Sequence, residues 1–553
     1  MEASNNVFRG SNSVADFFDP DKNPPLPLVE IPDRLNPFRK DGVRIYAKML
    51  THLPAQNVKS LPALSMLRGI PEAQSRTIVE ASSGSTVLSL GIIARVLWGH
   101  NDVRAYVTNK KSPESLSLLR FFGITPHLYG GLAQQEPTDE SGIMCRLRRL
   151  TAKRGDVIYP GQYDNENNWR AHEQWTGPQI LHQLPEISLF CTTVGTGGCI
   201  TGTSAYLKSQ KPSVRTLGVF NVFGDPTPGP RHFQGFNSCG FPWEQMVDDF
   251  VEVASVDSYR MSMQLSREGL IAGPSSGQAL RGLLDYIGKI KESVGLTSLS
   301  DGASREVSCV FTCSDLPYQY LAGYYQKLGA EEFPPIQNKI LLQCDQLRHD
   351  ERWILDAARA VEILDSRRVP ASSKHGVSMS LTTLGSDFKA SQVHNRRAPT
   401  VWSTLRSCLR GLVPYVSTSS DTQTPTCCSV HPPRSDESIP LILDLRSKAA
   451  FKARHLANSI HLPLKGLTPG LADGDLFGDP DAVFAVWNGI QTLFYEPGAS
   501  KHLGDIKQSQ RAVVVVCYDG DASRLATSTL RHLGIEAFSV KGGFQALNEA
   551  MSK

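Results

Sequence analysis

Short apolar runs alternate with stretches of helical spacing from about Pro25 to Gly329. Val43-Arg44-Ile45-Tyr46-Ala47, Val103-Arg104-Ala105-Tyr106-Val107, Ile187-Ser188-Leu189-Phe190-Cys191 and Val307-Ser308-Cys309-Val310-Phe311 read as buried strands. Between them, Thr86 to Trp98, Pro113 to Phe122 and Gly277 to Ile290 repeat apolar residues at helical spacing. Strands and helices in alternation predict an α/β fold with a mainly parallel sheet. After Pro334 the pattern weakens. Residues 334–367 read as a helical extension, and 368–436, rich in Ser, Thr and Pro as in Ser417-Thr418-Ser419-Ser420-Asp421-Thr422, read as a mobile linker with a few helical turns around Trp402 to Leu412. A smaller α/β unit then spans 437–553, with Leu441-Ile442-Leu443-Asp444-Leu445 and Ala512-Val513-Val514-Val515-Val516 as its strongest strands. Residues 1–24 form an N-terminal tail, and 25–333 the large domain. No internal repeat is visible.

Length supports this division, because 553 residues exceed one core at roughly 150 residues per domain. Lys plus Arg number 57 against 54 Asp plus Glu, a net charge of +3. That balance gives no electrostatic case for a nucleic-acid or anionic-membrane partner. Met1 to Asp19 lacks a basic stretch leading into an apolar run, and no apolar segment reaches the roughly 18 residues of a membrane helix. A cytoplasmic location is the expectation. Eleven cysteines are present without metal-ligand spacing, Cys427 and Cys428 being adjacent, and an odd count makes a poor disulfide framework. Reduced thiols and no metal site are expected.

Three strings carry the chemistry of the large domain. Lys59 stands in Pro54-Ala55-Gln56-Asn57-Val58-Lys59-Ser60, followed by the hydroxyl turn Glu80-Ala81-Ser82-Ser83-Gly84-Ser85-Thr86 and the loop Gly195-Thr196-Gly197-Gly198. A lysine amine can close a Schiff base on the aldehyde of pyridoxal phosphate. The glycine loop follows the apolar run Leu189 to Val194 and opens the helical stretch Ile200 to Lys208, so helix N-terminal amides can converge on a phosphate. Hydroxyls before a helix suit a carboxylate, as side-chain donors and the helix dipole both favour the anion; an ordinary helix cap at Ser82 or Ser83 is the plainer reading of the same turn. Lys48, in the strand pattern Tyr46-Ala47-Lys48-Met49, is the nearest competitor of Lys59.

With Pro27-Leu28-Val29-Glu30, Gln162-Tyr163-Asp164-Asn165, Thr176-Gly177-Pro178-Gln179-Ile180 and Glu268-Gly269-Leu270-Ile271-Ala272-Gly273-Pro274-Ser275-Ser276-Gly277, these strings stand in an order that resembles the cysteine synthase and cystathionine β-synthase group of pyridoxal phosphate enzymes, of tryptophan synthase β-like fold. The resemblance implies two α/β lobes. It makes Lys59 the cofactor-bearing lysine and mover of the Cα proton, Gly195, Thr196, Gly197, Gly198 and Cys199 the phosphate loop, and Ser85 and Ser275 further cofactor contacts. Ser82, Ser83, Gly84, Thr86 and Gln162 become substrate-carboxylate contacts, and a homodimer is implied. Ser275 matches the residue facing the pyridine nitrogen; a hydroxyl there makes the cofactor a milder electron sink than a carboxylate would, which suits β-elimination and β-replacement. The implied reaction replaces the leaving group of an activated serine, such as O-acetylserine, by a sulfur nucleophile, giving cysteine or a relative. Ser85 stands where the family usually has asparagine, Cys199 where it has threonine, and Ser60 where an acidic residue is common. Phe220-Asn221-Val222 and Phe236-Asn237-Ser238-Cys239-Gly240 also depart from the family strings, and neither the haem segment nor the regulatory domain pair of cystathionine synthases is recognisable.

Residues 437–553 resemble a rhodanese domain, a sulfurtransferase module, through Leu443-Asp444-Leu445-Arg446-Ser447, Phe451, His455-Leu456-Ala457-Asn458-Ser459-Ile460 and Leu462-Pro463. Cys517-Tyr518-Asp519-Gly520-Asp521-Ala522-Ser523 and Lys541-Gly542-Gly543-Phe544 complete the match. Cys517 follows a strand and precedes a helix, where loop amides can stabilise the thiolate that acts as nucleophile and carries a persulfide. Asp519 and Asp521 work against that thiolate and against anionic donors, with Arg524 a partial offset. His455 and His461 read as structural. The leading expectation is a bifunctional sulfur enzyme whose linker raises the local concentration of the sulfur carrier. A cysteine desulfhydrase (β-elimination lyase) and a lapsed enzyme serving as a sulfur-sensing or interaction protein are the alternatives.

Overall fold

Strands Leu28–Glu30 (β1), Val43–Met49 (β2), Thr77–Ala81 (β3), Val103–Thr108 (β4), Thr125–Tyr129 (β5), Val157–Ile158 (β6), Ile187–Thr193 (β7), Arg215–Asn221 (β8), Asp249–Val253 (β9) and Val307–Cys313 (β10) build two sheets in the computed structural model of the chain. One sheet has the order β1-β2-β10-β7-β8-β9, parallel except for β1, and the other the order β5-β4-β3-β6, all parallel. The structure describes residues 6–82, 84–131, 135–235, 240–300, 306–365, 440–495 and 500–553. Ser83, residues 236–239, the Trp402 to Leu412 turns and Cys427-Cys428 lie outside them.

The continuous apolar runs become central strands because both faces of a parallel sheet are covered by helices. β10 is buried along its whole length. It lies between β2 and β7, and the helix Pro274–Ser293 packs its Ala279, Leu280, Leu283 and Ile287 into the core beneath them. The second lobe buries Leu61, Leu64 and Leu67 of the helix Ser60–Arg68 with Leu90 and Ile93 of Ser85–Trp98 against β3 and β4. The tail at 1–24 is partly tied down: the Trp175 indole donates to Asp21 at 2.9 Å, and Arg68 pairs with Asp19 at 2.9 Å.

The chain divides into two compact units, Met1–Pro334 and Pro335–Lys553. The stretch read as a helical extension belongs to the second. It holds 3₁₀ turns at Lys339–Gln343 and Glu351–Trp353, the short strand Ile354–Leu355 (β11) and one helix, Ala357–Leu364. With Leu441–Asp444 (β12), Ser459–His461 (β13), Val513–Val516 (β14) and Ala537–Val540 (β15), β11 forms a parallel sheet of order β11-β15-β14-β12-β13. Cys344 is 2% exposed in the same core as Leu443 and Val515. Residues 366–439 therefore interrupt the second unit in sequence, where the amino-acid composition reads as a linker between units. The physical reason is that a two-residue strand and an eight-residue amphipathic helix carry too little pattern to be assigned, yet both bury their apolar side against β15 and the helix Gly543–Ser552.

Candidate functional site

Lys59 caps the helix Ser60–Arg68, and Asn57 builds the turn that presents it. Asn57, 3% exposed, accepts the Lys59 backbone N–H at 2.9 Å and the Ser89 hydroxyl at 3.0 Å, and donates to the Ala55 carbonyl at 2.6 Å. Ser60, at a position often acidic in the family, accepts the Ala55 N–H at 3.1 Å and so closes the turn. On the other side Val58 N donates to the Ser314 carbonyl at 2.7 Å, tying the turn to the end of β10. Burial pushes the Lys59 amine below the ordinary lysine value, while Cys199 and Asp315 push it back up. Lys48 has a different setting. Its amine, fully buried, donates to the Leu26 carbonyl at 2.9 Å and to Gln179 and Gln183 at 2.9 and 2.7 Å, which uses all three donors.

The glycine loop links β7 to the helix Gly198–Gln210. Gly197 takes φ 84°, a left-handed conformation open to glycine, and a methyl group on Gly198 would fall 2.2 Å from Asn168 Oδ1. Asn168 is the joint between this loop and the hydroxyl turn: its Nδ2 donates to Thr196 Oγ1 at 3.1 Å and to the Gln162 carbonyl at 2.5 Å. The Gln162 side chain in turn accepts from Thr86 Oγ1 at 2.6 Å and donates to the Ala81 carbonyl at 3.1 Å. Gly84 N donates to Ser82 Oγ at 3.4 Å, and Ser85 begins the helix. Ser275 enters from the start of Pro274–Ser293, beside Gly229, whose carbonyl packs against Gly195. Asn221 staples that loop through its side chain to Thr227 and the Pro230 carbonyl, a structural role for the departure at Phe220-Asn221-Val222. Of the large-domain residues singled out in the sequence, the structure gathers Lys59, Cys199, Thr86, Gln162, Thr196, Gly195 and Ser275 around linked turns of one unit.

Asn57 and Glu80 lie inside the quoted strings without a role assigned to them, and Asn168, His172 and Asp315 lie outside the strings altogether. Glu80, fully buried, accepts the N–H groups of Ala81 and Gly161, both at 3.1 Å, and so fixes the spacing of the turns that carry Ser82 and Gln162. Burial raises its carboxyl to about 8. His172, on a π-helical turn, bonds Thr176 Oγ1 at 2.9 Å through Nδ1. Their only sequence signal is position: Glu80 on a strand, Ser314-Asp315 just past one, where parallel sheets present their sites.

The residues fit a bound pyridoxal phosphate on an observation of their own. Asn168 Oδ1, His172 Nε2 and Asp315 Oδ1 are buried without a hydrogen-bond partner among the described residues. A buried polar atom left unpaired costs about 1–3 kcal/mol, so three of them around Lys59 and the glycine loop suit a cleft made for a polar occupant.

In the second unit Cys517 follows β14, and its loop closes at the helix Asp521–His532. The Gly520 and Ser523 N–H groups donate to its sulfur at 3.1 and 3.4 Å, while the thiol lies 3.5 Å from both Asp519 Oδ1 and Ser523 Oγ. Burial prevails over these donors. With Asp519 adding to it, the thiol is pushed up to about 11, against the thiolate that the loop amides favour. Arg524 is engaged elsewhere, 3.8 Å from Asp521 and donating to His349 Nε2 at 3.2 Å. The buried pair Asp444–Arg446, at 2.6 Å, holds the first half of the unit, with Arg446 over the Phe544 ring. His455 and His461 stack on either side of Phe451 and bond backbone carbonyls.

Fold and turns together define a two-lobed α/β enzyme with a half-buried lysine, followed by a small α/β module with a loop cysteine. The chain belongs to the pyridoxal-phosphate dependent enzyme family, whose model matches residues 23–301, and its cofactor is pyridoxal 5′-phosphate. Residues 432–550 match the rhodanese-like domain. The chain is similar to cysteine synthase B of Salmonella typhimurium, with 30% identity over 293 residues, 51% of this chain and 91% of the relative. Cysteine synthase of Aquifex aeolicus is 28% identical over 292 residues, 50% of this chain and 87% of its own. A solved structure of a hydrogen sulfide-producing enzyme from Fusobacterium nucleatum superposes at TM-score 0.47 with 24% identity, over 57% of this chain and 99% of its own. This is a cysteine synthase-like enzyme. No helix among the described residues is long and apolar enough to cross a membrane.

Proposed function

We propose that the large unit replaces the leaving group of an activated serine by a sulfur nucleophile, giving cysteine or a related β-substituted alanine, and that the small unit transfers sulfane sulfur. The observation that carries the reading is the linkage of Thr86, Gln162, Asn168 and Thr196 in one hydrogen-bonded chain beside Lys59. Pyridoxal phosphate, when bound, supplies the electron sink for bond breaking at Cα and Cβ. Lys59 attaches it, and the freed amine takes and returns the Cα proton. The loop and helix-start amides of Gly195 to Cys199 would hold the phosphate, and Ser275 and Ser85 would be further cofactor contacts. Ser82, Gly84, Thr86 and Gln162 would grip the substrate carboxylate, with Ser83 outside the described residues. The leaving group departs from Cβ with its electron pair, and the sulfur nucleophile bonds to the same carbon.

At the small unit, the Cys517 sulfur attacks the outer sulfur of a persulfide donor, forming a new S–S bond and releasing the donor as a thiol. The carboxylates of Asp519 and Asp521 favour a protein persulfide or another donor of low charge over thiosulfate. Rapid thiosulfate turnover by the full chain would count against that preference.

Borohydride reduction of the cofactor-loaded protein, followed by peptide mass spectrometry, is expected to label Lys59. A screen of O-acetylserine, O-phosphoserine, serine and cysteine is expected to give a β-substituted product with the first two. A label on another lysine sinks the site; sulfide and pyruvate from cysteine as the sole products sink the synthase direction in favour of the lyase. A homodimer and a cytoplasmic location accompany the proposal by family resemblance.

A further inference from the structure

Asp315 is the acidic side chain near Lys59 that the proposed chemistry leaves unused. It lies just past β10 and is 7% exposed. Oδ2 accepts the Tyr320 hydroxyl at 2.5 Å and the Gln319 amide at 3.1 Å; Oδ1 is buried without a partner among the described residues. Two elements hold the residue from opposite sides. Asn57 and Asp315 form an isolated antiparallel bridge, next to the Val58–Ser314 hydrogen bond that anchors the Lys59 turn. The Asp315 carbonyl accepts Gly273 N at 2.7 Å, and a methyl group on Gly273 would come within 2.3 Å of Oδ1. The carboxyl group is thus set between the turn of Lys59 and the helix start that carries Ser275.

A buried amine without a countercharge gives up its proton. Charge on Cys199 and Asp315 raises the Lys59 amine, and Lys59 in turn lowers His172. The groups that face Asp315 are Lys59, Tyr320, Gln319, Tyr259, Tyr324 and Cys313. Burial raises the thiols of Cys199 and Cys313 and all three tyrosines, and lowers His172 to about 3, so each of these is neutral at pH 7. Asp315 is raised only to about 6, and Tyr320, Gln319 and Lys59 favour its charged form. Of the carboxyl, thiol and phenol groups named, it is the most acidic.

We propose that Asp315 is a positioning residue that supplies the countercharge to Lys59, stabilising the ammonium that forms once the freed amine has taken a proton. The inference rests on the role given to Lys59 above, and it gives that residue the means to retain the proton it takes from Cα.

The test uses the full chain stripped of cofactor. Acylation of Lys59 by acetic anhydride is followed across pH by peptide mass spectrometry, which reads the proton affinity of the amine without any turnover. Asp315→Asn is expected to make Lys59 about tenfold more reactive at a given pH below its titration, a shift of about one pKa unit downward. Asp315→Glu is expected to restore most of the original profile. Tyr320→Phe, which keeps the carboxylate but removes a donor to it, is expected to shift the profile in the same direction by less, and serves should Asp315→Asn misfold. An unshifted profile in the folded variants overturns the role of Asp315 while a borohydride label on Lys59 leaves the cofactor reading standing. A label absent from Lys59 overturns that reading, and the proposal with it.

Discussion

The lysine cleft of the large unit and the cysteine loop of the small one use the same backbone device with opposite electrostatics. In each, a parallel strand passes through a glycine-bearing loop into a helix N-terminus: β7 into Gly198–Gln210, and β14 into Asp521–His532. Around Lys59 the buried acid, Asp315, favours the charged form of the reactive group. Around Cys517 the neighbouring acid, Asp519, opposes it, and burial opposes it further. Loop and helix geometry therefore marks where a site lies. Burial disfavours the ionised form of the reactive group at both, and the neighbouring charge opposes that effect at Lys59 and adds to it at Cys517.

The largest expected effect tests the first half of this contrast. Lys59→Ala should lower turnover with O-acetylserine by ~10³-fold or more and abolish the borohydride-stable cofactor label, whereas Lys48→Met should retain both, because Lys48 is spent on three protein acceptors. A loss of label in the second variant alone would exchange their roles.

Glu80 offers the next effect, in stability. Its carboxyl is raised from 4.5 to about 8, so the folded chain keeps a proton that the unfolded chain releases over this range. The contribution is full below pH 4.5 and falls as pH rises to 8, at about 1.4 kcal/mol per pKa unit. Glu80→Gln should therefore unfold at higher denaturant than the parent at pH 8, with the difference shrinking by several kcal/mol toward pH 5. A difference independent of pH would mean that Glu80 is ionised in the fold.

Asn168→Ala removes the donor shared by Gln162 and Thr196. Cofactor affinity, read by fluorescence titration, should weaken by ~10- to 100-fold, as expected for about 1–3 kcal/mol. The smallest effect falls on the other side of the comparison. Asp519→Asn should speed alkylation of Cys517 by iodoacetamide at pH 7.5 by roughly three- to tenfold, since the carboxylate raises the thiol. Slower alkylation would show Asp519 acting as a base toward the sulfur.

Much of this is legible in the sequence. The strands at 187–191 and 307–311 are plain because they are apolar on both faces, those at 43–47 and 103–107 because buried apolar residues alternate with half-exposed ones, and all four lie within observed strands. Lys59 and the glycine loop were legible because their residue types are tied to their chemistry. Asp315, His172 and Asn168 were not, because an acid, an imidazole or an amide gains its role from what folding buries around it. The thiolate expected at Cys517 shows the same limit: the amides were inferable from the strand, loop and helix, but the desolvation that outweighs them was not. The 334–367 stretch was read as an extension because its pairing with β15 is long-range, and local periodicity is blind to such partners.

That pairing bears on how the small unit can be handled in isolation. β11 covers the outer edge of β15, and Lys541 N donates to the Leu355 carbonyl at 2.8 Å. A fragment cut to the match at 432–550 leaves this strand behind and exposes a row of unsatisfied amides and carbonyls, a template for self-association. Excision starting near Pro335 keeps the border sealed and is the version suited to study alone.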